Sequence, residues 1–254
     1  MSSAASPRPV LVTRPAGRGG ALLSELDQRG IEVVHQPLIR LVPAHGDELD
    51  AGLGLLADGA YTHLVVTSRT AAEALAEAVV PAGTAVIAVG EGTARQLRAS
   101  GHPVSHVAAG SGAALVEEMP SVDGEAAVLF PASAAASRTV PAGLRAKGYR
   151  VHEVTAYRPV PVEPPAAIAV GLATGAYGAI ALTSPMIARR AVALGIHAST
   201  PIVTIGEPTS IAVREAGLVV ARQAEETTDA ALARAVQQVL AAAPPAPARP
   251  CDAP

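Results

Sequence analysis

Short apolar runs alternate with segments of helical periodicity along almost the whole chain. The first run, Val10–Val12, is typical of a buried strand, and Leu22, Leu23 and Leu26 then share one face of a helix predicted over 20–29. Further strands are predicted at 31–34, 62–66, 84–89, 102–107, 126–130, 149–160, 177–182, 202–205 and 218–221, and helices at 49–56, 71–80, 93–100, 112–119, 138–147 and 229–240. This alternation favours parallel sheets with helices on both faces.

The pattern also repeats itself. Residues 33–43, VVHQPLIRLVP, match the first eleven residues of 151–162, VHEVTAYRPVPV, at an offset of 118, so that Ile39 corresponds to Tyr157. Residues 89–101, VGEGTARQLRASG, recur as IGEPTSIAVREAG at an offset of 116. The chain is therefore predicted to be internally duplicated. At 254 residues it is long enough for two domains, which is our prediction.

Composition and charge exclude several partners. Aromatic residues are only 2% of the chain, and the formal net charge is -3, so neither base-stacking platforms nor a basic surface for nucleic acid or anionic membrane is expected. Residues 166–182 form a weakly apolar stretch that is too short and too often broken to span a bilayer. The first residues lack the features of a signal or transit peptide. The single cysteine, Cys251, lies in a Pro/Ala tail, which fits a reducing cytoplasm.

Hydroxyl side chains follow strand after strand. Each could simply cap the next helix, which is the usual role of Ser or Thr in that place. Together they fall on the sheet edge where α/β proteins bind ligands, and hydroxyls with free N–H groups suit an anion with several carboxylates. The hydroxyl residues are Thr13, Thr67, Ser68, Thr93, Thr183, Ser184, Thr209, Thr227 and Thr228, and the arginines beside them are Arg14, Arg69, Arg95 and Arg138.

Other chemistries have no support in the sequence. The seven histidines are scattered, no G-x-S-x-G motif occurs, and Lys147 is the only lysine, so a metal site, a serine triad and a phosphate-loop lysine are not expected. Gly90 and Gly92 give half of a dinucleotide fingerprint, but Arg95 stands where the third glycine belongs. We therefore predict that the protein uses no cofactor and no metal.

Several segments in order resemble the uroporphyrinogen-III synthase family over about residues 9–240. They are VLVTRP, VVTSRTAAEAL, VIAVGEGTARQLRASG, GLRAKGYRVHEVTAYRPVP, LTSP and VTIGEPTSIAVREAG. The resemblance implies an α/β fold of two parallel-sheet, flavodoxin-like domains joined by a two-stranded antiparallel linker. The first domain would comprise residues 1–36 plus 163–243 and the second residues 44–156. Residues 37–43 and 157–162 would form the linkers, and 244–254 a disordered tail.

The resemblance also implies a function: closure of hydroxymethylbilane, an acidic linear tetrapyrrole, to uroporphyrinogen III with inversion of the last pyrrole ring and loss of water. Tyr157 matches the family's catalytic linker tyrosine, and Thr93 and Thr209 match its threonines. The sequence departs from the family at residues 131–137, where relatives often carry a basic residue, and at Pro208, where a hydroxyl is common. A cytoplasmic, bacterial monomer is expected. The alternative is a non-catalytic protein of the same fold that binds a tetrapyrrole or another polyanion and has a regulatory role.

Overall fold

A computed structural model describes residues 8–44, 46–123 and 125–242. Internal contacts divide the chain into two compact units. Unit 1 combines the two ends of the chain, up to Arg40 and from Pro161, and unit 2 is the continuous segment Leu41–Val160. The predicted tail, 244–254, lies outside the described residues.

Strands and helices alternate as the sequence pattern predicts. In chain order they are β1 (Val10–Val12), α1 (Gly20–Asp27), β2 (Val33–His35), β3 (Ile39–Pro43), α2 (Asp47–Ala57), β4 (His63–Val66), α3 (Arg69–Ala74), β5 (Ala85–Val89), α4 (Glu91–Ala99), β6 (His106–Ala108), α5 (Gly112–Glu118), β7 (Ala127–Ser133), α6 (Thr139–Ala146), β8 (Arg150–Pro161), α7 (Ala166–Thr174), β9 (Ala179–Leu182), α8 (Pro185–Ala193), β10 (Ile202–Thr204), α9 (Glu207–Glu215), β11 (Val220–Gln223) and α10 (Asp229–Ala242).

The sheet of unit 1 is parallel and has the strand order β11-β10-β9-β1-β2. When its strands are numbered as the chain meets them, this order is the flavodoxin-like 2-1-3-4-5. The order reverses between β1 and β9, where Leu11 pairs with Ile180. Ligands of such sheets bind outside the carboxyl ends of the two strands at this reversal.

The second sheet has the order β3-β8-β7-β4-β5-β6, and its strands from β8 to β6 are parallel. Its parallel strands have the same spatial arrangement as unit 1, but the chain enters at the middle strand, so the order numbered along the chain is 3-2-1-4-5. Here the reversal lies between β4 and β7, where Leu64 pairs with Leu129. The strand β3 lies beside β8 at the edge of this sheet.

Aliphatic side chains fill the cores on both faces of the strands. In unit 2, Leu64 and Val66 belong to one buried cluster, and Val65 belongs to a second. This alternation shows that β4 is covered on both sides, as a parallel strand requires. In unit 1, Val10 and Val12 pack with residues of α1 and α10. Among the described residues no helix is both long enough and apolar enough to cross a membrane.

Two elements are shorter than predicted by three residues or more. The helix α3 ends at Ala74 rather than at residue 80, and the carbonyl of Leu75 accepts a hydrogen bond from the buried His102 ring nitrogen at 2.8 Å. The same carbonyl accepts the N–H of Ala78 at 2.9 Å, which closes a tight turn in place of a further α-helical turn. The strand β6 begins at His106 instead of residue 102. Pro103 in the skipped segment has no N–H to contribute to a strand.

Candidate active site

The carboxyl ends of the strands are the places where the predicted site residues lie. In unit 1, Thr13 follows β1, and Thr183 and Ser184 follow β9, so these residues flank the reversal of strand order. In unit 2, Thr67 and Ser68 follow β4, and Ser133 ends β7, at the equivalent reversal. The hydroxyls named from the sequence therefore lie where each sheet is expected to bind a ligand.

Three of the predicted hydroxyls are helix N-caps. The oxygens of Ser68, Ser184 and Thr228 accept hydrogen bonds from the main-chain N–H groups of residues 71, 187 and 231, at 3.1, 3.2 and 3.2 Å. A capping oxygen accepts with a lone pair, so its own O–H proton stays available to donate. The capping role and a role in anion binding are therefore compatible at these positions.

Thr13 has a different role within its sheet. It is fully buried, and its hydroxyl donates to the carbonyl of Ala181 at 3.0 Å, which links β1 to β9. Because the single hydroxyl proton is used inside the sheet, Thr13 has none to donate to a ligand in this geometry. The neighbouring Thr183 is half-buried.

Arg14 is neutralised by a carboxylate that the sequence analysis did not connect with it. Its Nη2 lies 2.6 Å from Oδ1 of Asp229, and both side chains are largely buried. Asp229 begins α10, so the ion pair joins the loop after β1 to the start of the last helix. We expect Arg14 to contribute less to binding an anion than an arginine with no such partner.

Thr93 and Thr209 lie inside helices, as the predicted helix over 93–100 implies for Thr93. Each is buried, at 5% and 2% exposure, and lies in the first turn of α4 and α9 respectively. The main-chain N–H groups of both donate to the glycine carbonyl that precedes the helix, at 3.1 Å. The helix α4 thus begins at Glu91, two residues before the predicted start at Thr93.

The arginines of unit 2 are exposed and lie beside the predicted hydroxyls. Arg69 is the first residue of α3, and its aliphatic part packs across Gly92, where an added methyl group would be 3.4 Å from Cδ of Arg69. Arg138 directly precedes α6. Within the described part of the chain neither arginine forms an ion pair. Their charge is therefore available to an anion.

Tyr157 lies half-buried in β8 and packs against the core of unit 2. Thr155 pairs with Ala132 and Tyr157 with Ser133, so the pairing skips Ala156. An extra residue of this kind changes the direction of the side chains that follow it, and such irregularities are frequent beside active sites. The carbonyl of Tyr157 also accepts from the N–H of Ala134 at 2.9 Å.

Some polar residues at these edges were missed. Ser111 caps α5, and Ser133 and Ser137 accept main-chain hydrogen bonds within the loop that precedes α6. The repeat predicted from the sequence could have indicated this loop, because the loop follows the strand of unit 2 that lies where β1 lies in unit 1. Among the described residues no group of three His, Cys, Asp or Glu side chains could hold a metal ion.

The fold and the site define an α/β protein with two sheets. In both sheets, Ser or Thr residues lie where a strand ends and the next helix begins. The model of the family described as uroporphyrinogen-III synthase HemD matches residues 20–234. The chain therefore belongs to the uroporphyrinogen-III synthase family. It is 28% identical over 234 residues to the chloroplastic uroporphyrinogen-III synthase of Oryza sativa subsp. japonica, a match that covers 85% of this chain and 75% of the relative.

Two solved structures have the same fold. The uroporphyrinogen III synthase of Thermus thermophilus, in a selenomethionine mutant form, has a TM-score of 0.63 and 19% identity, covering 92% of this chain and 99% of that one. The Helicobacter pylori 26695 uroporphyrinogen-III synthetase has a TM-score of 0.62 and 14% identity, covering 91% and 99%. At these identities the structures support the fold alone.

Proposed function

We propose that this chain is a lyase of tetrapyrrole and haem biosynthesis that converts hydroxymethylbilane to uroporphyrinogen III and water. The observation that carries the proposal is the family match, which spans residues 20–234 and so covers the strand-end hydroxyls of both sheets. The linear substrate carries a carboxylate on every side chain. Hydroxyl donors, helix starts and unpaired arginines at the strand ends are suited to a ligand of this kind.

Positioning does most of the catalytic work in this proposal. The electron-rich pyrroles of the substrate can expel the terminal hydroxyl, so the protein mainly holds the bilane folded for ring closure. Attack through the substituted carbon of the last ring gives a spiro intermediate, which fragments and closes again with that ring inverted. Holding reacting groups in a productive geometry is worth several kcal/mol, up to about 7–11 kcal/mol in oriented intramolecular reactions.

Tyr157 is the proposed catalytic residue. Its phenol donates a proton to the departing hydroxyl, which leaves as water. Two observations support a specific placement: the pairing of β8 with β7 skips a residue just before Tyr157, and the matching position in the other repeat is the buried, apolar Ile39. The proposed substrate-binding residues are Thr67, Ser68, Arg69, Thr93, Arg138, Thr183, Ser184, Thr209 and Thr228, with Thr13 and Arg14 supporting the edge of unit 1.

We also propose that the two units are duplicates joined by linkers at 37–43 and 157–162, with domain boundaries at 1–36 plus 163–243 and 44–156. Their parallel strands have equivalent spatial order. The ion pair between Glu91 and Arg98 recurs between Glu207 and Arg214 at the same offset of 116 residues. Hydrogen bonds from Val162 to Leu38 and from Ala44 to Ala156 are consistent with one antiparallel ribbon.

One assay tests the function directly. Purified protein receives freshly prepared hydroxymethylbilane without added metal or cofactor, and the porphyrinogens are oxidised and separated as type I and type III isomers. We expect type III in excess, because spontaneous closure gives type I. Type I product alone at micromolar protein would contradict the enzymatic function and favour the polyanion-binding alternative.

The cytoplasmic location and the monomeric state belong to the same proposal. The low aromatic content and the slightly negative charge support the expectation that no nucleic acid or membrane partner is involved. Light scattering of the purified chain at several concentrations measures the oligomeric state. A constant mass near the 25.4 kDa of one chain supports the monomer.

A further inference from the structure

A buried polar chain lies under the carboxyl edge of unit 1. Thr204 ends β10, Ser210 lies in α9, and Gln223 ends β11. The Ser210 hydroxyl oxygen is 2.6 Å from the hydroxyl of Thr204 and 2.7 Å from Oε1 of Gln223. Thr204 and Ser210 are both fully buried. Three side chains from three different elements thus meet at one hydroxyl.

The distances determine the direction of the hydrogen bonds. Ser210 has one proton, and its contact with Gln223 is shorter than its 3.4 Å contact with the carbonyl of Gly206. The proton is therefore donated to Gln223, and Ser210 accepts the proton of Thr204. Each hydroxyl in such a chain strengthens the next, and the loss of one member leaves a buried group without a partner.

The fold does not require this polarity. The residues of unit 2 at the same offset of 116 are Ala88, Ala94 and Val107. Ala88 and Ala94 are fully buried in the core, and Val107 packs against it. An apolar trio thus supports β5, α4 and β6 in the same arrangement. Unit 1 has a polar trio where unit 2 shows that packing alone is sufficient.

The hydrogen-bonded side chains of Thr204, Ser210 and Gln223 lie beside the loop between β10 and α9. The carbonyl of Gly206 faces Ser210, and it also accepts the main-chain N–H groups of Thr209 and Ser210, both at 3.1 Å. On the other side, a methyl group added to Gly206 would be 3.0 Å from Cγ2 of Thr227. Gly206 is therefore enclosed by α9 and by the loop after β11.

We propose that Ser210, held by Thr204 and Gln223, is a positioning residue that fixes this loop for the carboxylates of the substrate. Pro208 has no N–H, and those of Thr209 and Ser210 donate to the Gly206 carbonyl, so the N–H that remains in the first turn is that of Glu207. Rigid placement of this turn means that it needs no reordering when an anion binds. Unit 2 holds the equivalent loop differently, with Gly90 in the left-handed region at φ 74° and Arg69 across Gly92. The inference rests on the proposed function, since it concerns binding of the same substrate.

The test compares two substitutions of one residue. Thr204→Val keeps the shape and removes the hydroxyl, whereas Thr204→Ser keeps the hydroxyl. We expect Thr204→Val and Ser210→Ala to raise KM for hydroxymethylbilane about tenfold, with kcat changed less than about twofold, because one buried hydrogen bond is lost. Thr204→Ser should stay within about twofold of the wild type in both constants.

A matched control separates positioning from stability. Thr84 is a buried threonine of unit 2 whose hydroxyl donates to the carbonyl of Tyr61 at 2.9 Å, and it precedes β5 at the opposite end of the strands. Thr84→Val should lower Tm about as much as Thr204→Val does and leave KM unchanged. If both variants raise KM equally, the effect is general destabilisation and the positioning role is wrong.

A second measurement does not depend on turnover. Amide hydrogen exchange of the unliganded protein should be at least about tenfold faster at Thr209 and Ser210 in the Ser210→Ala variant, if the polar chain holds the loop. Exchange at Thr93 and Ala94 of unit 2 should not change. Unchanged exchange in unit 1 overturns the inference. A wild-type protein that forms no type III isomer overturns the proposed function and leaves the exchange result to decide whether the loop is held.

Discussion

The carboxyl edges of the two sheets both carry Ser and Thr side chains after their strands, but the edges differ in charge. In unit 2, Arg69 and Arg138 form no ion pairs within the part of the chain that the structure describes. In unit 1, Arg14 is paired with Asp229. The loop after β11 in unit 1 also carries Glu225 and Glu226, both exposed.

This difference in charge leads us to expect a division of work, in which the two units bind the substrate by different interactions. Carboxylates repel a polyanionic substrate, whereas unpaired arginines attract it. We therefore expect unit 2 to supply most of the charge-based attraction. Unit 1 would bind through hydroxyls and N–H groups that the buried Thr204, Ser210 and Gln223 hold in place. On the proposed duplication, two edges of one geometry would then bind the same ligand by different interactions.

The largest effect is expected at Tyr157, the polar residue that stands where the other sequence repeat has the apolar Ile39. Tyr157→Phe should lower kcat by up to about 100-fold, the low end for a general acid, because the pyrroles assist departure of the hydroxyl. The affinity for the product should hardly change, and the free energy of unfolding should fall by about 1 kcal/mol. Single-turnover kinetics and a denaturation curve measure the two effects. Full turnover with unchanged type III product would make Tyr157 a packing residue.

The charge difference predicts the next largest effect. The double variant Arg69→Gln, Arg138→Gln should raise KM by about 10–30-fold, or roughly 1.4–2 kcal/mol, with Tm nearly unchanged since both side chains are exposed. The matched variant of unit 1 is Arg14→Gln, Asp229→Asn, which removes an ion pair without changing the net charge. It should alter KM by less than about threefold. Equal effects of the two double variants would contradict the division of work.

A smaller effect is expected at Gly92, which corresponds to Pro208 in unit 1. Gly92→Ala removes a helical glycine, so stability should rise by about 0.5 kcal/mol, provided that Arg69 moves by a few tenths of an ångström. Gly54→Ala in α2 is the control, because a methyl group there meets nothing within 4 Å. Thermal unfolding compares the two. A loss of stability only in Gly92→Ala would show that Arg69 is held firmly against the helix.

The smallest effect concerns acid stability. In unit 2 the pKa of Glu118 is lowered, first by its hydrogen bond with His106 and then by the N–H of Ala109. A lowered folded-state pKa contributes stability above the ordinary value near 4.5, and this stability is lost as the pH falls through the folded-state pKa. The equivalent residues of unit 1 are Arg222 and Arg234, which offer no carboxylate.

Glu118→Gln should therefore lower Tm slightly at pH 6 and have no effect near pH 3. Circular dichroism melts at both values measure this difference. Glu117→Gln, the neighbouring exposed carboxylate, is the control and should show no such pH dependence. An equal shift at both pH values would mean that the ionised form of Glu118 is not what stabilises this end of α5.

Local patterns predicted most elements correctly because strands and helices depend on the periodicity of neighbouring residues. The predicted strand at 84–89 and helix at 112–119 differ from β5 and α5 by a single residue. The prediction for α3 was too long, since the bond between Leu75 and His102 joins residues that are 27 positions apart. Nothing within the helical segment itself reports that bond.

The sequence alone determined the alternation of strands and helices, the repeat, and the strand ends where Ser68 and Ser184 cap their helices, because capping joins residues three positions apart. Tertiary structure decided which charges are free. The partner of Arg14 lies 215 positions along the chain, and only the order of the strands brings the two together. The same holds for Ser210 and Gln223. Side-chain partners at a sheet edge depend on which strands are adjacent, and local periodicity carries no information about that order.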